Sequence, residues 1–343
     1  MGSLRFAKPL PLLKPKKDII DGTKQGNSCI QNLTPGFGKL TLSEDCLVLN
    51  IWTPNVGNND ESTEAPALKP VMFWIHGGGL VNGSIFQMPP YNGIDLAAYD
   101  VVVVSTNYRL GPFGFLYGDR EDAPGNVGYY DQLLAIKWVR ENIHQFGGDR
   151  GRITIFGESA GSRSVSSQIL SPLSKGLFKR AIMQSGAHLY NKDREPLNNI
   201  EALSEAKQMA KHLNCSETED WLQCLRKVDA KDILNLEKSF SSPVFGTEFL
   251  PVYTHKALDD HLLNYDIDLM SGLTRNEGPL LVDLVLKQIN LQTVDDFKKY
   301  VKVGDKLYHG LDVQKVSNFY LNGVNTSSPA AIRRAYTDFF GDL

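Results

Sequence analysis

No segment of this 343-residue chain is apolar enough to cross a bilayer as a helix. Its longest purely aliphatic run, Val101 to Val104, falls far short of the ~18 residues required. Charge is equally unspecialised. A net charge of −3, with no run of about five like charges, lacks the electrostatic footprint of a nucleic-acid binder or a protein held to an anionic surface. There is no internal repeat and no low-complexity tract, which removes solenoids and disordered tails from consideration. Neither a C-x-x-C pair nor an H-E-x-x-H motif occurs, so the chemistry is expected to need no metal and no cofactor. The first residues, Met1-Gly2-Ser3-Leu4-Arg5-Phe6, form neither the charged nor the apolar part of a secretion leader.

Cysteine is scarce as well, but its four residues are not scattered. Cys29 with Cys46, and Cys215 with Cys224, each bracket a short polar stretch. That is the pattern of disulfides formed in an oxidising compartment; four unrelated buried thiols are the alternative reading. Glycosylation sequons such as Asn32-Leu33-Thr34, Asn214-Cys215-Ser216 and Asn325-Thr326-Ser327 point the same way. The expectation is a secreted or extracellular protein whose signal peptide is absent from this sequence.

With 42% apolar residues, the chain can bury a large core. Between roughly residues 45 and 190, short β-rich runs alternate with longer amphipathic segments, as in βαβ units on a mostly parallel sheet. Strands are expected at Leu47 to Trp52, Val71 to Ile75, Val101 to Ser105, Ile153 to Phe156, Ala181 to Gln184 and Ile267 to Met270. Val101 to Ser105 is apolar on both faces and belongs in the middle of the sheet. A helix should open at Asp131, since Ile136, Val139 and Ile143 share one face. From about 195 to 240 the pattern becomes helical and polar, an excursion from the core. No Pro/Gly/Ser linker divides residues 1–343, so they read as one domain.

Gly157-Glu158-Ser159-Ala160-Gly161 fits G-x-S-x-G between a strand and a helix, the setting in which a sharp turn lifts a serine oxygen above the sheet edge. Ser159 is therefore the candidate nucleophile. The helix beginning after it points its positive end at developing negative charge. His76-Gly77-Gly78-Gly79 follows an upstream strand. Its backbone N–H groups, with that of Ala160, could converge on a carbonyl oxygen, glycine allowing the close approach. His76 itself reads as an orienting or structural residue. A serine nucleophile needs a base, and the base needs an orienting carboxylate, in the order serine, acid, histidine. Glu277, just past the Ile267 strand and followed by Gly278, is the candidate acid. Of seven histidines only His309 follows it, in a polar helical region that suits an exposed residue better than a base. His144, His188, His212, His255 and His261 break the order.

Phe146-Gly147-Gly148 through Gly161 matches the serine signature of the type-B carboxylesterases, and the chain resembles that carboxylesterase and cholinesterase family along essentially its whole length. Ser43-Glu44-Asp45-Cys46-Leu47-Val48-Leu49-Asn50 is similar to the family's second signature, with Val48 where tyrosine or threonine is usual. Leu4-Arg5-Phe6, Asn107 to Phe115, Gly125 to Gly128 and Gln184-Ser185-Gly186 add to the likeness. The resemblance implies an α/β-hydrolase fold, a central, mostly parallel twisted sheet flanked by helices. It implies Ser159 as nucleophile, Glu277 as triad acid, and Gly78, Gly79 and Ala160 as the oxyanion hole. It also implies disulfides Cys29–Cys46 and Cys215–Cys224, and a structural ion pair between Glu44 and Arg109. The family's histidine lies roughly a hundred residues beyond the acid. The chain is accordingly expected to be a piece of the α/β-hydrolase domain lacking both ends, the C-terminal part included.

The activity so implied for the full-length form is hydrolysis of small carboxylic esters through an acyl-enzyme, with Ser159 attacking and no metal involved. This chain is expected to lack the catalytic histidine, and a truncated, inactive product of an esterase gene is a further reading. Thr34-Pro35-Gly36-Phe37-Gly38-Lys39-Leu40 lacks the tryptophan with which cholinesterases bind choline. Pro279, Leu280 and Leu281 stand where they carry aromatics after the acid. Those departures favour a general carboxylic ester over acetylcholine. The competing reading is an inactive, cholinesterase-like adhesion or binding protein, against which the intact G-E-S-A-G counts.

Overall fold

The computed structural model describes residues 2–12, 19–33, 38–54, 67–87, 91–187, 197–215, 220–236, 242–263, 266–279, 282, 291–308 and 310–342. Runs of β-branched and aromatic side chains form the strands, as their stiff χ1 favours. β1 (Leu49–Trp52), β2 (Lys69–Ile75), β3 (Val102–Thr106), β4 (Gly148–Glu158), β5 (Arg180–Gln184) and β6 (Asp268–Gly272) build one sheet in the order β6-β5-β4-β2-β3-β1. β2 runs parallel to β3 and β4, and β4 parallel to β5, while β1 lies antiparallel on β3. With its flanking helices this is the α/β-hydrolase arrangement. β3 is buried at every residue, but it lies beside the outermost strand of this order rather than at its middle. Burial on both faces tells that a strand is interior, not how many strands lie beyond it.

Register decides where the chemistry can be. Ile75 pairs with Thr106 and with Gly157, and Gly157 pairs in turn with Met183. The carboxyl ends of four parallel strands therefore form one row. The chain leaves that row at His76, Asn107, Ser159 and Ser185, the edge where open α/β sheets collect their ligands.

α1 (Val127–Asn142) begins four residues before the expected Asp131. Its cap, Asn126, has φ 55°, which asparagine tolerates. That residue's amide is tied to a distant loop, donating to Val244 O at 2.7 Å and accepting from Val244 N at 2.9 Å. α2 (Ala160–Leu170) is buried at all residues but Arg163, although it is rich in serine. Hydrogen bonds make that burial tolerable. Gln132 Nε2 donates to Ser164 Oγ, Gln168 Nε2 donates to Tyr129 O, and Ser174 Oγ donates to Gln168 Oε1.

The polar excursion contains α3 (Asn199–His212) and α4 (Trp221–Lys227) and has an apolar core of its own. Phe6, Phe113, Met209, Leu222, Leu225 and Ile233 pack there. Cys29–Cys46 and Cys215–Cys224 are both bonded, with Cα atoms 4.9 and 5.6 Å apart. The expected Glu44–Arg109 pair is corrected. Glu44 takes the Arg5 guanidinium, which also donates to Leu225 O at 3.1 Å and Val228 O at 2.5 Å. Arg109 makes a two-pronged bond to buried Asp131, 2.7 Å on each arm. The resemblance identified two paired charges but not their partners.

The chain divides into two compact units, Met1–His188 with Pro196–Ser271, and Leu189–Glu195 with Gly272–Leu343. The second holds α5 (Val294–Tyr308), α6 (Val313–Tyr320) and α7 (Pro329–Asp342) around Phe297, Val301, Ile332, Tyr336 and Phe339. Among the described residues no helix is long and apolar enough to cross a membrane.

Candidate active site

Ser159 stands between the last residue of β4 and the first of α2 with φ 56° and ψ −121°, outside the regions that L-residues occupy freely. Such backbone costs of order 1–3 kcal/mol and persists only where the surroundings over-determine it. Here they do. Ser159 N–H donates to Gln184 O at 2.9 Å. A Cβ on Gly157 would lie 2.5 Å from the Gly161 carbonyl carbon, and one on Gly161 would lie 2.1 Å from Ile75 O. The two glycines of the motif are thus the only residues that let β4, the turn and α2 press against β2. Ala160, first residue of α2, keeps its N–H among the donors a helix start leaves unpaired.

The Gln184-Ser185-Gly186 turn closes the other side. A Cβ on Gly186 would sit 2.5 Å from Ser159 O, and Ser162 Oγ donates to Gly186 O. Its motif was visible in sequence; its bracing of the elbow was not, because the contact joins two strand ends.

The glycine loop comes to the elbow at Gly77, where a Cβ would be 2.8 Å from Glu158 O and 3.3 Å from Ser159 Cβ. Gly78 and Gly79 have φ 106° and 65°, and Gly78 O accepts from Asn82 N at 2.9 Å. His76 is fully buried and stacked on Tyr108, with ring centroids 4.4 Å apart. Its Nδ1 lies 2.8 Å from Gly77 O, which requires Nδ1–H, and Nε2 has no hydrogen-bond partner. Burial drives the His76 imidazole down to about 4, so it is neutral at pH 7. It packs under the glycine loop through Tyr108 and Gly77.

Glu277 lies in the second unit, half-buried, and accepts the Thr274 N–H at 2.7 Å through Oε1. Gly278 after it has its own reason: a Cβ there would meet Thr337 O of α7 at 1.9 Å. His309 and His188 lie outside the described residues. His144, His212, His255 and His261 are exposed on helices and turns of the first unit. Among the described residues no group of three His, Cys, Asp or Glu side chains could hold a metal.

Residues 1–343 match the carboxylesterase family throughout. An acetylcholinesterase-1 from Trittame loki is 36% identical over 99% of this chain and 65% of its own length. A cholinesterase from Mus musculus is also 36% identical, over all of this chain and 57% of its own. Carboxylesterase 5A of Mus musculus reaches 41% over 73% of this chain and 44% of itself. The chain thus spans about half to two thirds of the length of these curated relatives.

Proposed function

The chain belongs to the carboxylesterase family, and from that premise we propose that it carries the nucleophile and oxyanion loop of a serine hydrolase acting on small carboxylic esters. The observation that carries this reading is the strained Ser159, held between two glycines that admit no Cβ, with Gly77 against it. Strain of this kind is kept where pre-organisation matters. Ser159 Oγ attacks the ester carbonyl as a general base takes its proton. The carbonyl oxygen becomes an oxyanion facing the Gly78, Gly79 and Ala160 N–H groups, and the helix start of α2 adds to that field. Collapse expels the alcohol, and water then releases the acid from the acyl-serine. Glu277 is the carboxylate that orients the base. The two disulfides fit a secreted or extracellular setting.

Hydrolysis of p-nitrophenyl acetate by the purified protein in a form that carries the base histidine, compared with Ser159→Ala in the same form, tests the reading. Turnover should fall by about 10⁴-fold or more in the variant. Equal rates in both proteins would sink it.

A further inference from the structure

Buried polar groups gather where the Cys29–Cys46 loop meets the glycine loop. The Gln31 side chain, 2% exposed, stands at their centre. Its Oε1 accepts the Gly83 N–H at 2.8 Å, and its Nε2 donates to Gly83 O at 2.8 Å and to Cys29 O at 3.0 Å. One primary amide thus reads both backbone groups of a single residue, much as a neighbouring strand would. Gly83 has φ 118°, and a Cβ on it would lie 2.4 Å from His76 Nδ1 and 2.5 Å from Gly77 O. The residue Gln31 holds is therefore the one that closes the loop back onto Gly77. Two lesser ties flank it. Ser28 Oγ lies 2.7 Å from Ser84 Oγ. Asn107 accepts the Ile85 N–H at 3.0 Å and donates to Asn27 O at 3.0 Å and Cys46 O at 3.3 Å.

We propose that Gln31 is a positioning residue for the oxyanion loop. It fixes Gly83, thereby aims the Gly78 and Gly79 N–H groups, and is itself anchored by the Cys29–Cys46 disulfide. This rests on the oxyanion role proposed above. Gln31 touches no substrate; it acts through backbone alone. An oxyanion hole works because its donors are aimed before charge develops, so loosening them costs the transition state and not the bound ester.

Gln31→Met keeps the side-chain length and removes all three hydrogen bonds. On purified protein in the form that carries the base histidine, p-nitrophenyl acetate kinetics should show kcat lowered about tenfold or more, with KM within about twofold. Hydrogen exchange of the amides in residues 77–85 should quicken about tenfold, while that of β4 stays unchanged. Ser28→Ala, a milder loosening of the same junction, should shift both readouts in the same direction by about threefold; it carries the test alone if Gln31→Met does not fold. Unchanged exchange in residues 77–85, or a rise in KM at constant kcat, overturns the proposal and leaves the esterase reading intact. Parent turnover equal to that of Ser159→Ala overturns both, so the two failures are told apart.

Discussion

The turn at Ser159 and the turn at Glu277 both follow a strand, and both carry a glycine that tolerates no side chain. They differ in where their constraints come from. At Ser159 the pressing atoms belong to β2, to α2 and to the Gln184 turn, all on the carboxyl edge of one sheet. At Glu277 the carboxylate is held by Thr274, three residues away, and Gly278 is pressed by Thr337 of α7. The first turn is strained at its candidate nucleophile, whereas Glu277 does not share the positive φ of Ser159. A turn over-determined on every side leaves a motif of fixed spacing. A turn held by a local bond and pressed by a distant helix leaves only an acidic residue before a glycine.

The largest expected effect comes from the less constrained turn. Glu277→Gln keeps an oxygen for the Thr274 N–H, so the melting temperature should hold within a few degrees. Ester hydrolysis should nevertheless drop by about 10⁴-fold if Glu277 orients the base. Activity preserved in this variant would place the acid elsewhere. Next comes a paired test of the glycines. Gly161→Ala and Gly278→Ala each drive a Cβ into backbone and should each destabilise by about 3 kcal/mol or more. Hydrogen exchange should rise around the elbow for the first and in α7 for the second; a common pattern would remove the distinction between the turns.

A smaller effect follows from His76 beneath the elbow. Its folded value of about 4 lies below the ordinary 6.5 because burial disfavours the imidazolium. Between those values the unfolded chain binds the extra proton. Stability therefore rises with pH across that window, is complete above about 6.5, and is lost as pH falls toward 4. The loss is about 3 kcal/mol. Unfolding free energies from urea titration at pH 7 and pH 4.5 should differ by about 2 kcal/mol less in His76→Gln than in the parent. Smallest is Ser164→Ala, which strips one link from the hydrogen-bonded face of α2 and should cost about 1–2 kcal/mol in the same assay.

Legibility in the sequence followed the range of each constraint. Strands β2 to β5 and the Gly157–Gly161 turn were readable because alternation and steric demand act over a few neighbouring residues. The early start of α1 was not, since Asn126 is fixed by Val244, far along the chain. Nor was the buried serine-rich face of α2, whose composition alone suggests a solvated helix. The partners of Glu44 and Arg109 were misassigned because both ion pairs are made across the fold. Gln31 carried no signal at all: a lone glutamine two residues after a cysteine acquires its role only when Gly83 is brought to it.

Arg5 donates to carbonyls at Leu225 and Val228, more than two hundred residues downstream. A ribosome adding 5–20 residues per second needs about 10–45 s to make that intervening chain. Through that interval the guanidinium has Glu44 but lacks its two carbonyl acceptors, and the core that Phe6 enters is incomplete. Closing so long a loop is slow and comes late, because its entropy must be overcome before any contact rewards it. The junction of Arg5 with Leu225 and Val228 is therefore a late stage of biogenesis, open to chaperones and proteases until it forms. A nascent chain stalled before Leu225 should show Arg5 and Phe6 open to cleavage, and one released after Val228 should not.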